Sequence, residues 1–485
     1  MENADNNCKV DSKKAVGVLK RALINDLIKW KENPKRKPLI LKGVRQCGKT
    51  YLLKEFGKQY YESMAYFNFE ENEALSKIFE NDYSTGRIIF ELGLSIGKTI
   101  CPEKTLIILD EIQECGRAIT AMKYFCENAP EYHIVCAGSL LGIAIRKQLS
   151  FPVGKVDFLT LYPMSFSEFL RAVDGDMLAD YAEKFKKGDR IPEVIGEKLT
   201  ALLRQYYVTG GMPEVVKEWR DTHSIEGVER VQQAIISSYE LDFAKHAPSK
   251  DFPKLSAIWR SIPEQLSKEN TKFIFSHVKK GWRSKDLEDA LEWLIAAGLV
   301  YKVCRIEKPF IPLSSYADDT CFKLYMADIG ILRKLSKLPY EVVLDATPNY
   351  REFKGSMTEN YVLCELQSAG GDTAYYWSSG NTAEVDFIVQ CGAEIVPIEV
   401  KSEKNVKARS LAEYRKKYDP KYSVKTSMKI ETDGKEVLNI PLYLIASLEN
   451  FVNEEKSDSV FDDIKTGLNQ AIGYEKENPK TKTTE

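Results

Sequence analysis

Histidine is scarce: the 485 residues hold four, at 133, 223, 246 and 277, and their spacing fits neither a zinc site nor a catalytic triad. The ten cysteines include no C-x-x-C pair, so they read as reduced thiols of a cytoplasmic protein and not as a disulfide framework. No apolar run reaches the roughly 18 residues that span a bilayer. The opening MENADNNCKVDSKK lacks the apolar stretch of a signal peptide, and no membrane role is expected. No Asn-Lys-x-Asp element for reading guanine occurs, which favours adenine. Charge of one sign is lacking too: 69 Lys and Arg face 71 Asp and Glu, a net charge of −2. Any surface for nucleic acid must therefore be local.

What is present suffices for several cores. Hydrophobic residues make up 44% and charged residues 29% of the chain, and at roughly 100–200 residues per domain the length suggests about three domains. Residues 1–15 read as a flexible N-terminus. From 16 to 165, short apolar runs (Pro38–Leu41, Met64–Phe69, Thr105–Leu109, His133–Ala137) alternate with helical patterns such as Tyr51–Tyr61 and Arg117–Asn128. That alternation predicts a parallel α/β sheet. Residues 166–245 read as helical. In 246–310 a helix, a glycine turn at Gly298 and an extended run suit either a winged-helix-like segment or a plain helical bundle. Residues 311–450 form a second α/β unit, with strands at TAYYWSS, AEVDFIVQ, IVPIEVK and LYLIAS. Residues 451–485 are a charged tail, mostly disordered by composition.

The run Gly43-Val44-Arg45-Gln46-Cys47-Gly48-Lys49-Thr50 fits G-x-x-x-x-G-K-[ST] in full, between an apolar strand pattern and a helical one. Its glycines let successive N–H groups curl around phosphate oxygens at a helix N-terminus. Lys49 would reach the β- and γ-phosphates, and the Thr50 hydroxyl would ligate Mg²⁺. Downstream, Thr105–Leu109 ends in Asp110-Glu111. Asp110 would join the Mg²⁺ shell, and Glu111 would act as general base on the attacking water. ATP with Mg²⁺ is the ligand this pair of motifs implies. After the third strand, Ser139 is a candidate γ-phosphate sensor; the plainer reading is a turn serine.

The ordered blocks GVRQCGKTYLL, TLIILDEIQE, VCAGSLLG, LYPMSFSEFL and YYVTGGMPEVV, followed by FKLYMADIGIL, FKGSMTENYVLCEL, TAEVDFIV and IEVK, resemble prokaryotic AAA-like ATP-binding proteins. The resemblance covers most of Val16 to Ser447. It implies a P-loop NTPase of AAA-like type with a helical lid, joined to a C-terminal restriction-endonuclease-like α/β domain. Gly210-Gly211-Met212-Pro213 resembles the glycine–proline element of such lids. Such ATPases often form rings, so an oligomer is one expectation, but Gly154-Lys155 stands where many relatives carry Gly-Arg. That leaves Arg146 as a substitute arginine finger, and Arg45 as structural or a phosphate contact within the subunit.

In the C-terminal unit, Asp386 and Glu399-Val400-Lys401 form a D-x12-E-x-K pattern on two strands joined at Gly392, with Glu359 on a preceding helix. Glu399 and Lys401 share a strand face by the period of two. The pattern resembles the PD-(D/E)xK nuclease core, where carboxylates hold Mg²⁺ and the lysine positions a water. The bland reading is alternating charge on an exposed face. Residues 401–429 carry ten Lys or Arg against three acids, with Tyr414, Tyr418 and Tyr422 among them. That strip suits a nucleic-acid backbone or a solvated helix. Two functions are open: an ATPase whose nucleotide state controls a nuclease-like domain on nucleic acid, or an ATP-dependent switch whose C-terminal domain cleaves nothing and binds a protein.

Overall fold

The computed structural model describes residues 19–139, 141–143, 151–268, 271–345, 351–371, 373–380, 383–402, 409–428 and 437–452. The expected N-terminal tail, Arg146 and nearly all of the charged tail lie outside these residues.

Five short strands, β1 (Leu39–Lys42), β2 (Ser63–Asn68), β3 (Thr105–Asp110), β4 (His133–Ala137) and β5 (Asp157–Thr160), form a sheet in the order β2-β3-β4-β1-β5. Every pairing in it is parallel. β3 and β4 are buried at every position, as continuous apolar runs in a two-faced parallel sheet should be. β5 was not legible, because it is a four-residue edge strand whose burial merely alternates.

Helices Phe166–Val173, Asp176–Lys184, Glu193–Thr209, Pro213–Thr222 and Ile225–His246 come next in the chain, the all-helical stretch the sequence suggested. Ser165 caps the first of them in a capping box with Glu168, satisfying two otherwise unpaired N–H groups.

The middle segment runs helix Phe252–Leu266, helix Phe275–Val278, helix Ser284–Ala296, then β6 (Val300–Ile306) and β7 (Ala317–Met326). A bridge from Lys272 to Lys323 lies outside the named strands. β6 and β7 pair antiparallel, so this hairpin straddles the expected boundary at 310/311. β6 also pairs with β8 (Tyr375–Ser378). With β9 (Glu384–Cys391), β10 (Glu394–Val400), β11 (Val424–Ser427) and β12 (Leu438–Pro441), they form a seven-stranded mixed sheet ordered β12-β11-β10-β9-β8-β6-β7. The middle segment and the C-terminal unit thus share one sheet.

One strand expectation is corrected. LYLIAS is a 3-10 helix, Leu442–Ser447; the strand ends just before it, at Pro441. Burial at Leu442, Tyr443, Leu444 and Ile445 looks the same in sequence as a buried strand would.

The helical stretch meets the C-terminal unit backbone to backbone: a Cβ on Gly330 would lie 2.4 Å from the Thr209 carbonyl oxygen, and one on Gly210 2.7 Å from Gly330 N. A Cβ on Gly211 would lie 2.0 Å from the carbonyl oxygen of Met164, in the N-terminal part. Asp328 accepts from Gly211 N at 2.6 Å and from Ile331 N at 2.8 Å, capping the helix Ile329–Leu335. Buried Arg333 donates to Gln232 Oε1 at 2.7 Å and to the Leu338 carbonyl at 2.9 Å. Glu365, on the helix Arg351–Ser368, accepts from Phe166 N at 2.9 Å. One buried core accordingly runs through all these parts, and a second lies against the parallel sheet.

Candidate functional site: the phosphate loop and a C-terminal charge cluster

The P-loop leaves β1 at Gly43 and ends at Gly48, the residue before helix Lys49–Tyr60. Gly43 has φ +152°, and a Cβ there would sit 2.3 Å from the Leu161 carbonyl oxygen. Gly48 is left-handed at φ +93°, a conformation that costs glycine little. Gln46, at φ 65°, holds the same region without that advantage. Lys49 donates to the carbonyls of Gly43 at 2.8 Å and Val44 at 2.9 Å, which fixes its ammonium across the loop. The Cys47 side chain is fully buried, with its Sγ 3.4 Å from the Leu161 carbonyl, so it packs into the core behind the loop.

Thr50 Oγ1 donates to Asp110 Oδ2 at 2.7 Å, and Tyr66 donates to the same oxygen at 2.9 Å. This hydroxyl–carboxylate pair is an all-oxygen set suited to a hard cation such as Mg²⁺, which keeps several waters and needs only one or two carboxylates. Glu111 comes next at φ 49° and ψ 42°, uncommon for a residue with a Cβ and a form of strain that clusters at functional sites. Its Oε2 accepts from Gln113 Nε2 at 2.6 Å, Ser139 N at 3.3 Å and Ser139 Oγ at 3.4 Å. Ser139 therefore steadies Glu111. A Cβ on Gly138 would lie 2.0 Å from Gln113 Oε1, so a side chain there would displace the Gln113 amide that holds Glu111.

These groups border a cleft of about 530 Å³ that Arg45, Gln46, Gly48, Lys49, Thr50, Glu111 and Ser139 line together, within the roughly 300–1,000 Å³ usual for small-molecule sites. Gly43, Cys47 and Asp110 support it from behind. Sequence reasoning missed several further walls, Leu19, Arg21, Tyr51, Glu214 and Lys217; Pro213, singled out in the Gly210–Pro213 element, also lines the cleft. Arg21 is buried and donates to the Cys47 carbonyl at 2.7 Å and to Glu168 at 3.1 Å. No local pattern marked it, since its partners lie 26 and 147 residues away. Arg45 donates to Asp242 Oδ1 at 3.0 Å. Lys155, at the place considered for an arginine finger, pairs with Glu127 at 2.9 Å.

The C-terminal residues meet on the second sheet. β9 and β10 pair antiparallel, with Phe387 opposite Ile398, and turn at Gly392, φ +61°. Asp386 Oδ2 accepts from Val400 N at 2.7 Å. Lys401 Nζ lies 2.6 Å from Glu399 Oε1, while Glu399 Oε2 is buried with no hydrogen-bond partner among the described residues. Glu359 accepts from Tyr325 at 2.8 Å. The sequence reading missed Lys323: it is 1% exposed, 2.6 Å from Glu384 Oε1 and 3.6 Å from Glu359 Oε2.

Burial, then the charges of Glu359 and Glu399, push the Asp386 carboxyl well above the usual carboxylate range. Burial also raises Glu399, against the opposing pull of Lys401. For Lys323, burial favours the neutral amine, but Tyr325, Glu359, Glu384 and Asp386 outweigh it and hold the ammonium charged. Among the described residues no group of three or more His, Cys, Asp or Glu is spaced to hold a metal ion.

The aromatic residues of the basic strip face inward. Tyr414 and Tyr422 are buried, and Tyr414 and Tyr418 pack edge-on against buried Trp377 at 5.2 and 5.8 Å. They are core residues, so the strip offers cations without a stacking platform; Lys404 and Lys407 lie outside the described residues. No helix among those residues is long and apolar enough to cross a membrane.

Residues 35–170 match the AAA domain family, residues 200–341 a domain of unknown function (DUF8612) and residues 354–443 another (DUF4143). No curated protein matches the chain. Among solved structures, it is similar to the Walker-type ATPase PABY2304 of Pyrococcus abyssi, with 15% identity, 66% of this chain and 96% of that one covered, and a TM-score of 0.43. It is also similar to PH0952 from Pyrococcus horikoshii, a signal transduction ATPase with numerous domains carrying a tetratricopeptide repeat sensor. There the values are 13% identity, 73% and 47% coverage, and a TM-score of 0.24. AMPPCP-bound DnaA from Aquifex aeolicus aligns at 15% identity over 55% of this chain and 74% of that one, with a TM-score of 0.22.

Proposed function

We propose that the N-terminal part is an AAA-type nucleotide-binding domain, a reading supported by the AAA match over residues 35–170 and by the parallel sheet around the P-loop. We propose that it binds ATP with Mg²⁺ and hydrolyses it, and that its nucleotide state controls the C-terminal unit. The observation that carries this reading is the Thr50–Asp110 contact at 2.7 Å beside a Glu111 carboxylate held by Gln113 and Ser139. Thr50 and Asp110 would hold Mg²⁺, which supplies charge neutralisation at the β- and γ-phosphate oxygens. Lys49 would give up its loop carbonyls to reach those oxygens. Glu111 would orient and deprotonate the attacking water, and Ser139 would keep that carboxylate aimed. Arg45 would either contact phosphate or stay on Asp242.

For the C-terminal unit, the β9–β10 hairpin and the parallel strands after it support a restriction-endonuclease-like fold. On that reading Glu359, Asp386, Glu399 and Lys401 form a nuclease-like centre acting on nucleic acid. A specific observation favours the second reading, a switch that binds a protein partner and cleaves nothing. Lys323 already supplies a buried positive charge to Glu359 and Glu384, the place a divalent cation would take.

ATP turnover measured with and without single- and double-stranded DNA and RNA separates the two. Stimulation by a nucleic acid, absent in Lys49→Ala, supports the nuclease-like reading. Turnover indifferent to every nucleic acid supports the switch.

A further inference from the structure

Two parts of the ATP cleft rest on a piece of chain from outside the ATPase domain. The P-loop begins at Gly43-Val44, and the segment after β4 passes through Ser139 to Gly142. Both meet Ala296-Ala297-Gly298, the turn between helix Ser284–Ala296 and β6. A Cβ on Gly142 would lie 2.2 Å from the Ala296 carbonyl oxygen and 3.2 Å from its carbon. Gly298, left-handed at φ +72°, brings its Cβ position within 3.7 Å of Val44 N. These are backbone-to-backbone approaches, with no flexible side chain between them to absorb a displacement. Beside them lies a cavity of about 190 Å³ bordered by Val44, Ser139, Gly142, Ala296, Gly298 and Tyr301. The loops therefore have room to move on one side and a hard stop on the other.

Beyond the turn, the chain leads directly to the charge cluster. Leu299 accepts from Ala327 N at 3.0 Å, tying the turn to the exit of β7. In the β6–β7 register Tyr301 stands opposite Tyr325, and Val303 opposite Lys323. Tyr325 and Lys323 are the residues that hold Glu359 and Glu384. Tyr301 also stands edge-on to Tyr162, ring centroids 6.4 Å apart, beside the strand end that backs the P-loop.

We propose that the Ala296–Gly298 turn is a positioning element of the ATP site, and that it passes the state of the P-loop and of the Ser139 segment through β6 and β7 to the C-terminal charge cluster. The proposal rests on the ATP-binding reading above. Close-packed interiors transmit displacement instead of damping it. The element both ends would bias is this turn, beside which the cavity leaves room for a displacement.

The test is amide hydrogen exchange of the full chain with and without a non-hydrolysable ATP analogue and Mg²⁺, monitored separately over the P-loop and over residues 299–306 and 317–326. In the wild type the analogue is expected to slow exchange in the P-loop and, by at least about fivefold, the low end of typical coupling factors, in 299–306. In Gly142→Ala, whose added methyl must push Ala296 away, P-loop protection should persist while the change in 299–306 falls below about twofold.

An analogue that protects the wild-type P-loop and leaves 299–306 and 317–326 unchanged overturns the coupling and spares the ATP-binding reading. Protection nowhere overturns both. Equal protection of 299–306 in Gly142→Ala and wild type removes the turn from the route. If Gly142→Ala does not fold, the wild-type comparison still decides.

Discussion

Arg45 donates to Asp242 Oδ1 at 3.0 Å, so a side chain of the phosphate loop is tied to the long lid helix Ile225–His246. On the same helix Tyr239 donates to the Arg45 carbonyl at 3.0 Å. The lid thus holds one loop residue by both side chain and backbone. Burial raises the Asp242 carboxyl and Arg45 opposes it. Because the Arg45 side chain is 33% exposed, the pair itself should contribute only about 0.2–1 kcal/mol. A double-mutant cycle of Arg45→Ala and Asp242→Ala, read on unfolding free energy, should return a coupling in that range. Strict additivity would mean the pair contributes nothing to the fold.

The P-loop lysine and the strained glutamate should separate binding from chemistry. Lys49→Ala is expected to lose nucleotide binding in calorimetry. Glu111→Gln should bind ATP within about threefold of wild type and turn over at least about a hundredfold more slowly, the low end for removing a general base. Ser139→Ala, which removes one hydroxyl contact to Glu111, should lower kcat without changing KM much. An increase in KM alone would argue that Ser139 binds substrate and does not steady Glu111.

Glu365 should make stability fall as pH rises. Burial, with some help from Glu168, pushes its carboxyl up to about 8, against an ordinary value near 4.3. The folded state therefore holds a proton that the unfolded chain has already lost, and stability is highest below the unfolded value. It should decline from about pH 4.5 to about pH 8 and level off above. Tyr206 and Cys364 lie close enough to be raised by its charge. Glu365→Gln keeps an acceptor for Phe166 N and should flatten this decline, measured by urea midpoints across the range. The same decline in the variant would place the titrating group elsewhere; Asp328, raised by burial to about 6, is the next one to test.

Gly211→Ala should destabilise the fold by about 1–3 kcal/mol, the range for forced overpacking, because the new methyl would meet the Met164 carbonyl oxygen at 2.0 Å. Gly154→Ala provides the contrast. Nothing lies within 4 Å of its Cβ position, and only its φ of +73° resists substitution. Thermal midpoints should rank the two in that order.

Lys323→Met tests the charge cluster. Removing one partner from a buried ion pair typically costs about 3–5 kcal/mol; here Glu359 would keep, among the described residues, only Tyr325, while Glu384, 42% exposed, turns to water and lowers the cost below that range. Mn²⁺ titration of wild type beside Asp386→Ala then addresses the nuclease-like reading. A binding isotherm lost in the variant supports a cation centre, and identical traces favour the protein-binding switch.

Much of the candidate site was legible because its parts are contiguous in sequence. Gly43 to Thr50 needs only the strand before it and the helix after it, and Asp110-Glu111 ends a strand that pairs beside β4. Asp386, Glu399 and Lys401 were found by spacing on a hairpin that is antiparallel, and Glu359 on the helix before it. The groups that surround them were not. Arg21 meets Glu168, Arg45 meets Asp242 and Lys323 meets Glu384 across long stretches of chain, and no local periodicity encodes such meetings. Periodicity also misjudged Leu442–Ser447, where an apolar run directly after a proline packs as a tight helix. It could not show that β6 and β7 belong to the C-terminal sheet, because strand partners are chosen by tertiary packing.

The most direct test of ATP hydrolysis at this cleft is steady-state turnover of purified full-length protein with Mg²⁺, run beside Lys49→Ala and Glu111→Gln. Turnover in the wild type that disappears in both variants, with nucleotide still bound by Glu111→Gln, is the expected result. Equal turnover in wild type and Glu111→Gln would contradict it.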